Sequence, residues 1–187
     1  MILVIDTSAP KRSVVALIDG DRTEELGSER LDFEQLRALV RDRPVTRVAV
    51  ATGPGSFTGL RVGVSFGLGL AIGLRVPIVP LPTLALQAAR SPEPATAVVD
   101  AGRGRCYYLV PGGEPALGEP ADITTSHPLV GNVADRRPFV AAGHRFVPEN
   151  ELRSLTDAAV ILLETATEVP YRNLEIEYMQ SFSAKKG

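Results

Sequence analysis

Hydrophobic residues come in short blocks separated by polar, Gly or Pro breaks, and the period changes from block to block. Residues 1–5 are a continuous apolar run, the pattern of a strand buried on both faces. Asp6-Thr7-Ser8-Ala9-Pro10 reads as a turn. Residues 13–18 read as a second strand, and Asp19-Gly20 marks a hairpin before a third strand near 22–27. From 29 to 41 the period becomes helical, with Phe33, Leu36, Leu39 and Val40 on one face and Glu34, Arg37 and Arg41 on another. Residues 47–51 are a short apolar strand. The glycine-rich loop Gly53-Pro54-Gly55-Ser56-Phe57-Thr58-Gly59 then leads into a helix ending near Leu74. A strand at 76–79 and a short helix from Pro82-Thr83 to about Arg90 follow.

Ser91-Pro92-Glu93-Pro94 is the clearest boundary, dividing the chain into units of residues 1–94 and 95–187. In the second unit, 97–100 reads as a strand, 101–105 as a turn, 106–110 as a returning strand and 111–128 as a surface excursion. A strand is expected at 139–142, and a helix capped by Thr156-Asp157 runs to about 167. The tail from Pro170 has no clear period. Ile2-Leu3-Val4-Ile5-Asp6 is echoed by Ala97-Val98-Val99-Asp100: each half opens with a buried strand that ends in Asp and hairpins back. The expected architecture is a duplicated α/β fold, a mixed sheet with flanking helices in each half, the second half reduced.

Composition narrows the chemistry. With 44% hydrophobic and 22% charged residues the chain fits a soluble globular protein, and one Cys excludes an internal disulfide. Cys106, His127 and His144 lie in unrelated contexts with no zinc-site spacing, so no metal site is expected. The N-terminal apolar run has no basic region before it, which reads as a strand and not a signal peptide, and points to the cytoplasm. A net charge of −2 gives no basis for gripping nucleic acid by this chain alone.

Three stretches could carry function. Asp6-Thr7-Ser8 and Asp100 with Gly102, Arg103 and Gly104 stand where the actin, Hsp70 and sugar-kinase superfamily places its phosphate turns; they read as vestigial phosphate turns or as simple turn caps. An ATPase or kinase using Asp6 and Asp100 is the enzymatic alternative. Residues 53–59 have neither the Gly-Lys-Ser/Thr of a Walker loop nor dinucleotide spacing, and read as a helix-capping turn. From Leu60 to Leu74 only Arg61 and Ser65 are polar, so this helix is covered on more than one side. It is too short and too rich in glycine for a membrane span. Gly59, Gly63, Gly67 and Ala71 recur every four residues. The second cover is another chain, or else the sheet and the neighbouring helix supply all of it. In the first case the partner surface is Phe33, Leu36, Val40, Gly59, Gly63, Val64, Gly67, Leu68 and Ala71.

Met1-Ile2-Leu3-Val4-Ile5-Asp6-Thr7-Ser8, the run Gly53-Pro54-Gly55-Ser56-Phe57-Thr58-Gly59-Leu60-Arg61-Val62-Gly63, Val99-Asp100-Ala101-Gly102-Arg103 before Cys106-Tyr107-Tyr108, and Pro170-Tyr171-Arg172 resemble the TsaB family, bacterial subunits of tRNA threonylcarbamoyladenosine biosynthesis. The resemblance implies an actin-like, ribonuclease-H-like fold and partnership with the catalytic paralogue TsaD and the ATPase TsaE, acting on the adenine beside the anticodon in tRNAs that read codons beginning with A. It implies a non-catalytic chain that is a homodimer when alone, meets tRNA through the complex, touches no membrane, and leaves ATP and metal to its partners. A peptidase, a label once attached to relatives, is disfavoured because no catalytic dyad can be assembled. The early His-Ser pair of many relatives is replaced here by Asp32-Phe33-Glu34-Gln35.

Overall fold

The computed structural model describes residues 1–178. Two sheets are built to one plan. In the first, β1 (Ile2–Ala9), β2 (Arg12–Asp19) and β3 (Arg22–Ser28) form an antiparallel meander, and β4 (Arg47–Gly53) and β5 (Ile78–Pro82) add parallel strands on the other side, in the order β3-β2-β1-β4-β5. Helix α1 (Phe33–Val40) precedes β4, α2 (Phe57–Leu74) joins β4 to β5, and α3 (Thr83–Ala88) follows. In the second sheet, β6 (Thr96–Gly102), β7 (Arg105–Leu109) and β8 (Ala116–Gly118) repeat the meander and β9 (Leu129–Asn132) lies parallel to β6. Helix α4 (Arg137–Ala141) and helix α5 (Leu155–Leu163) complete the described chain.

The echo at Asp6 and Asp100 is structural. Both carboxylates accept from the backbone N–H two residues on, Ser8 at 2.8 Å and Gly102 at 2.6 Å, and the strand register shifts just beyond each. Reduction of the second half is equally concrete. The 18-residue α2 corresponds to a five-residue α4, and the fifth strand shrinks to a single parallel bridge between Leu129 and Phe146.

The halves share their cores. From the first half, α3 sends Leu84 into the cluster of Ala97, Val99, Tyr107 and Val130 on the second sheet. From the second half, α5 sends Leu155, Ala158 and Ala159 onto Val4, Val14, Ala16 and Val79 of the first. Polar contacts follow the same crossing: Glu25 of β3 accepts from both the N–H and the hydroxyl of Thr156. Arg90 donates to Glu149 at 2.6 Å and holds that carboxylate below its usual pKa, and Arg153 donates to the carbonyls of Ala89 and Ser91. Chain breaks at 91–94 therefore separate sheets but not cores.

Four local readings are corrected. The stretch 6–9 is strand and not turn, because the Asp6 side chain accommodates the irregularity within β1 and the reversal falls at Pro10-Lys11. Residues 139–142 lie at the end of a helix, since Pro138 at its first turn fixes φ and needs no N–H partner. The excursion 111–128 contains β8, and β9 precedes the place where a strand was expected. The cap of α5 is Ser154, whose hydroxyl accepts from the Asp157 N–H at 3.0 Å.

α2 lies on β1 and β4 through its glycines. A Cβ on Gly59 would stand 2.0 Å from the Thr7 carbonyl oxygen, on Gly63 2.1 Å from Thr7 Oγ1, and on Gly67 2.3 Å from Val50 Cγ1. The Thr7 hydroxyl donates to the Gly59 carbonyl at 2.7 Å. Gly69 points the other way, with no atom within 4 Å of an added Cβ. Gly67→Ala is expected to lower stability by about 1–3 kcal/mol through overpacking, whereas Gly69→Ala should raise it by up to about 1 kcal/mol through helix propensity. Urea denaturation of both variants checks this; equal effects of the same sign would contradict the seam.

Candidate functional site

Placement of α2 separates the residues expected at a partner surface. Leu36, Val64 and Ala71 are at most 5% exposed, and Gly63 and Gly67 are buried with them against this chain's own sheet. Those five are corrected: the stripe recurring every four residues serves β1 and β4, because only glycine lets a helix come this close to Thr7 and Val50. Gly59 is half-buried at the start of the same seam. Phe33 is 52% exposed, and Val40 and Leu68 are half-buried at the margins.

The open face is the opposite one. It presents Val62, Ser65, Gly69, Ile72 and Gly73, with half-buried Phe66 among them. Phe33 joins it from α1, its ring 5.1 Å from that of Phe66. Asp32 positions Phe33 by accepting from the N–H groups of Glu34 and Gln35, both at 3.0 Å. Val62 and Ile72 are 40% and 50% exposed. A second small-residue stripe, Ser65-Gly69-Gly73, runs along this face at the same spacing as the first; the sequence contains both, and only the three-dimensional placement tells which faces out. The helix is 18 residues long, with a mean hydropathy of 1.5, and only 28% of it is buried inside the chain. By length and composition it is sufficient for a membrane span, which corrects the expectation that it is too short and too rich in glycine, but its inner face is committed to the sheet.

A cavity of about 350 Å³ lies between the halves, lined by Pro10, Gly55, Ser56, Phe57, Asp100, Ala101, Gly102, Tyr107, Glu177 and Tyr178. Ser56 caps α2 by accepting from the Gly59 N–H, and the Gly53–Pro54 bond before it is cis. The two Asp turns are unequal here. Asp100 and Gly102 reach the cavity, with Arg103 and Gly104 at positive φ in the exposed hairpin turn beyond. Asp6, Thr7 and Ser8 are 3%, 4% and 1% exposed. The α2 seam covers Thr7, and a Cβ on Gly55 would meet the Ser8 carbonyl oxygen at 2.5 Å. Burial pushes the Asp6 carboxyl above its ordinary pKa, against the Ser8 hydrogen bonds and the more distant Arg12 and Arg90 charges. The two carboxylates of the expected Mg–ATP alternative thus differ in exposure: Asp100 lines the cavity and Asp6 is buried.

Among the described residues, no group of three or more His, Cys, Asp and Glu side chains is placed to hold a metal ion. Cys106 is 1% exposed and burial raises its thiol to about 11, so it is protonated core at neutral pH.

A model of the family described as TsaD, tRNA N6-adenosine threonylcarbamoyltransferase, matches residues 33–126, half of the chain and the segment holding α1, α2 and the Asp100 turn. The chain belongs to this family. Its relatives include the tRNA threonylcarbamoyladenosine biosynthesis protein TsaB of Haemophilus influenzae, 30% identical over 123 residues, 57% of this chain and 52% of that protein. TsaB of Escherichia coli is 31% identical over 122 residues, 57% and 53% of the two chains. The chain thus spans about half the length of the curated relatives it matches. Two solved structures from Pseudomonas aeruginosa share the fold: a protein with similarity to peptidase YeaZ, with a TM-score of 0.73 and 22% identity over 96% of this chain and 99% of that one, and YeaZ itself, with a TM-score of 0.71 and 22% identity over 95% and 99%.

Asp6 gives a pH test. A carboxyl whose folded pKa is raised binds its proton more readily folded than unfolded, so it favours the fold at low pH and loses that advantage as pH rises from the unfolded value upward. Asp6→Asn keeps an oxygen for the Ser8 N–H and has no charge to bury. It should match or exceed the wild type in Tm at pH 7, with the difference closing as pH falls toward 4. Asp6→Ala should lose about 1–3 kcal/mol at both pH values by stranding that N–H. An Asp6→Asn variant that is less stable at pH 7 than at pH 4, relative to wild type, would contradict the sealed carboxyl.

Proposed function

We propose that this chain is a non-catalytic partner subunit that binds TsaD, together with the ATPase TsaE, for threonylcarbamoylation of the adenine beside the anticodon in tRNAs reading codons that begin with A. The observation that carries the reading is α2: an apolar helix left largely open on its outer face. An exposed apolar patch of this kind, continued by Phe33, is unfavourable in water and calls for a cover. The kinship with TsaB proteins and with the TsaD family supports TsaD as that partner. An actin-like fold paired with a paralogue offers two similar helix pairs to one another, and a small-residue stripe such as Ser65-Gly69-Gly73 lets facing helices approach closely. Alone, the chain covers the same face with a second copy of itself. ATP and metal are left to the partner subunits, tRNA is met through the complex, and the setting is the cytoplasm, with no membrane contact. The sealed Asp6 supports an accessory role over a kinase or ATPase.

Gly69→Arg is the direct test, because the free monomer has room for the new side chain. At a concentration where the chain is monomeric it should leave Tm unchanged or higher, and it should abolish co-elution with purified TsaD. A folded Gly69→Arg chain that still co-elutes would overturn the assignment of this face. Gly63→Arg, by contrast, should fail to fold, since the added side chain enters the seam against Thr7.

A further inference from the structure

We propose that the C-terminal strap, residues 169–178, ends in a gate that closes the cavity between the halves, with Arg61 of α2 as its clasp. The strap is anchored along its first part. The Val169 N–H donates to the Ile78 carbonyl at 3.0 Å. The Tyr171 hydroxyl lies 2.7 Å from the Val76 carbonyl and 3.2 Å from that of Ala71, and Leu174 and Ile176 pack on the first core. Its last two described residues are held differently. The Glu177 N–H donates to the Thr52 carbonyl at 2.8 Å, and the Glu177 carbonyl sits where any side chain at Gly53 would intrude, 2.8 Å from a Cβ there. Tyr178 lies outside the core: its ring is 5.7 Å from Phe57, and its hydroxyl accepts from Arg61 Nε at 3.1 Å. The same guanidinium stacks 3.9 Å from the Phe57 ring centre.

Glu177, Tyr178 and Phe57 are walls of the cavity whose far side is Asp100, Ala101, Gly102 and Tyr107. Lifting Glu177 and Tyr178 therefore opens the space facing the hairpin turn of Asp100 at the cost of one backbone hydrogen bond at the end of β4. The fastening of Tyr178 on Arg61 and Phe57 is a surface contact, the kind that opens locally far more often than the whole fold unfolds, while the Glu177 N–H is held by the buried Thr52 carbonyl. Burial also pushes the Glu177 carboxyl above its ordinary pKa, so in the closed position its charge is poorly solvated. The gate does not depend on the identity of the partner subunit.

The test uses the full chain carrying Ala101→Cys, a small change on the cavity wall, and measures its rate of labelling by a maleimide. Native Cys106, buried and protonated, serves as the unreactive internal reference. Adding Arg61→Ala should speed labelling of position 101 by about fivefold, as expected for loss of one exposed cation–π and hydrogen-bonded contact, and Tyr178→Ala should do the same. Labelling at Cys106 should stay unchanged in both, which separates gate opening from global unfolding. Hydrogen exchange should show the Glu177 amide accelerated by Arg61→Ala, with Val50 in β4 unaffected. Equal labelling rates with and without Arg61, or acceleration at Cys106 and Val50 in parallel, would overturn the gate.

Discussion

The contact between one helix and two strands governs the rest of this molecule. Gly59, Gly63 and Gly67 bring α2 so close to β1 and β4 that their missing side chains would overlap Thr7 and Val50. Each interior glycine costs a helix about 1 kcal/mol relative to alanine, and the approach is what offsets that cost. The same approach has a chemical consequence. It buries Thr7 beneath the helix, and Asp6 and Ser8 are buried polar residues of the same strand end, so the stretch that resembles a phosphate turn lies inside the first half. It also has a geometric one: with its glycines turned inward, the helix must show its other apolar residues to solvent.

The duplication is uneven for related reasons. The second sheet keeps the meander, the Asp100 turn and one parallel strand, but its counterpart of α2 is five residues long and its fifth strand survives as one bridge. Asp100 stays open to the cavity, whereas Asp6 is 3% exposed. The halves remain one folding unit because α3 and α5 each cover the other half's sheet, pinned by Glu25 to Thr156 and Arg90 to Glu149.

Strand–hairpin repeats and the course of α2 were legible because period and Gly report directly on backbone geometry. The Asp6–Asp100 echo was legible too, since both positions make the same local hydrogen bond. Position 139 was misread because a short apolar run has no period to separate strand from helix, and Pro138 at the first turn decides it. The face of α2 was misread for a deeper reason. Gly63-Gly67-Ala71 and Ser65-Gly69-Gly73 are equivalent patterns in the sequence, and which of them meets the sheet depends on Thr7 and Val50, which lie in other elements of the chain. The strap's seat on Gly53 and Arg61 likewise joins segments more than a hundred residues apart and leaves no local signal.

The central claim is that one helix face builds the fold and the opposite face receives a partner. Hydroxyl-radical footprinting of the chain, as a monomer diluted below self-association and mixed with purified TsaD, measures it side chain by side chain. Oxidation of Phe33, Phe66 and Ile72 should fall sharply in the mixture, while exposed Val140 on the second half, 60% exposed in the free chain, should oxidise as before. Unchanged oxidation of Phe33 and Ile72 under conditions where the two proteins co-elute would contradict the account.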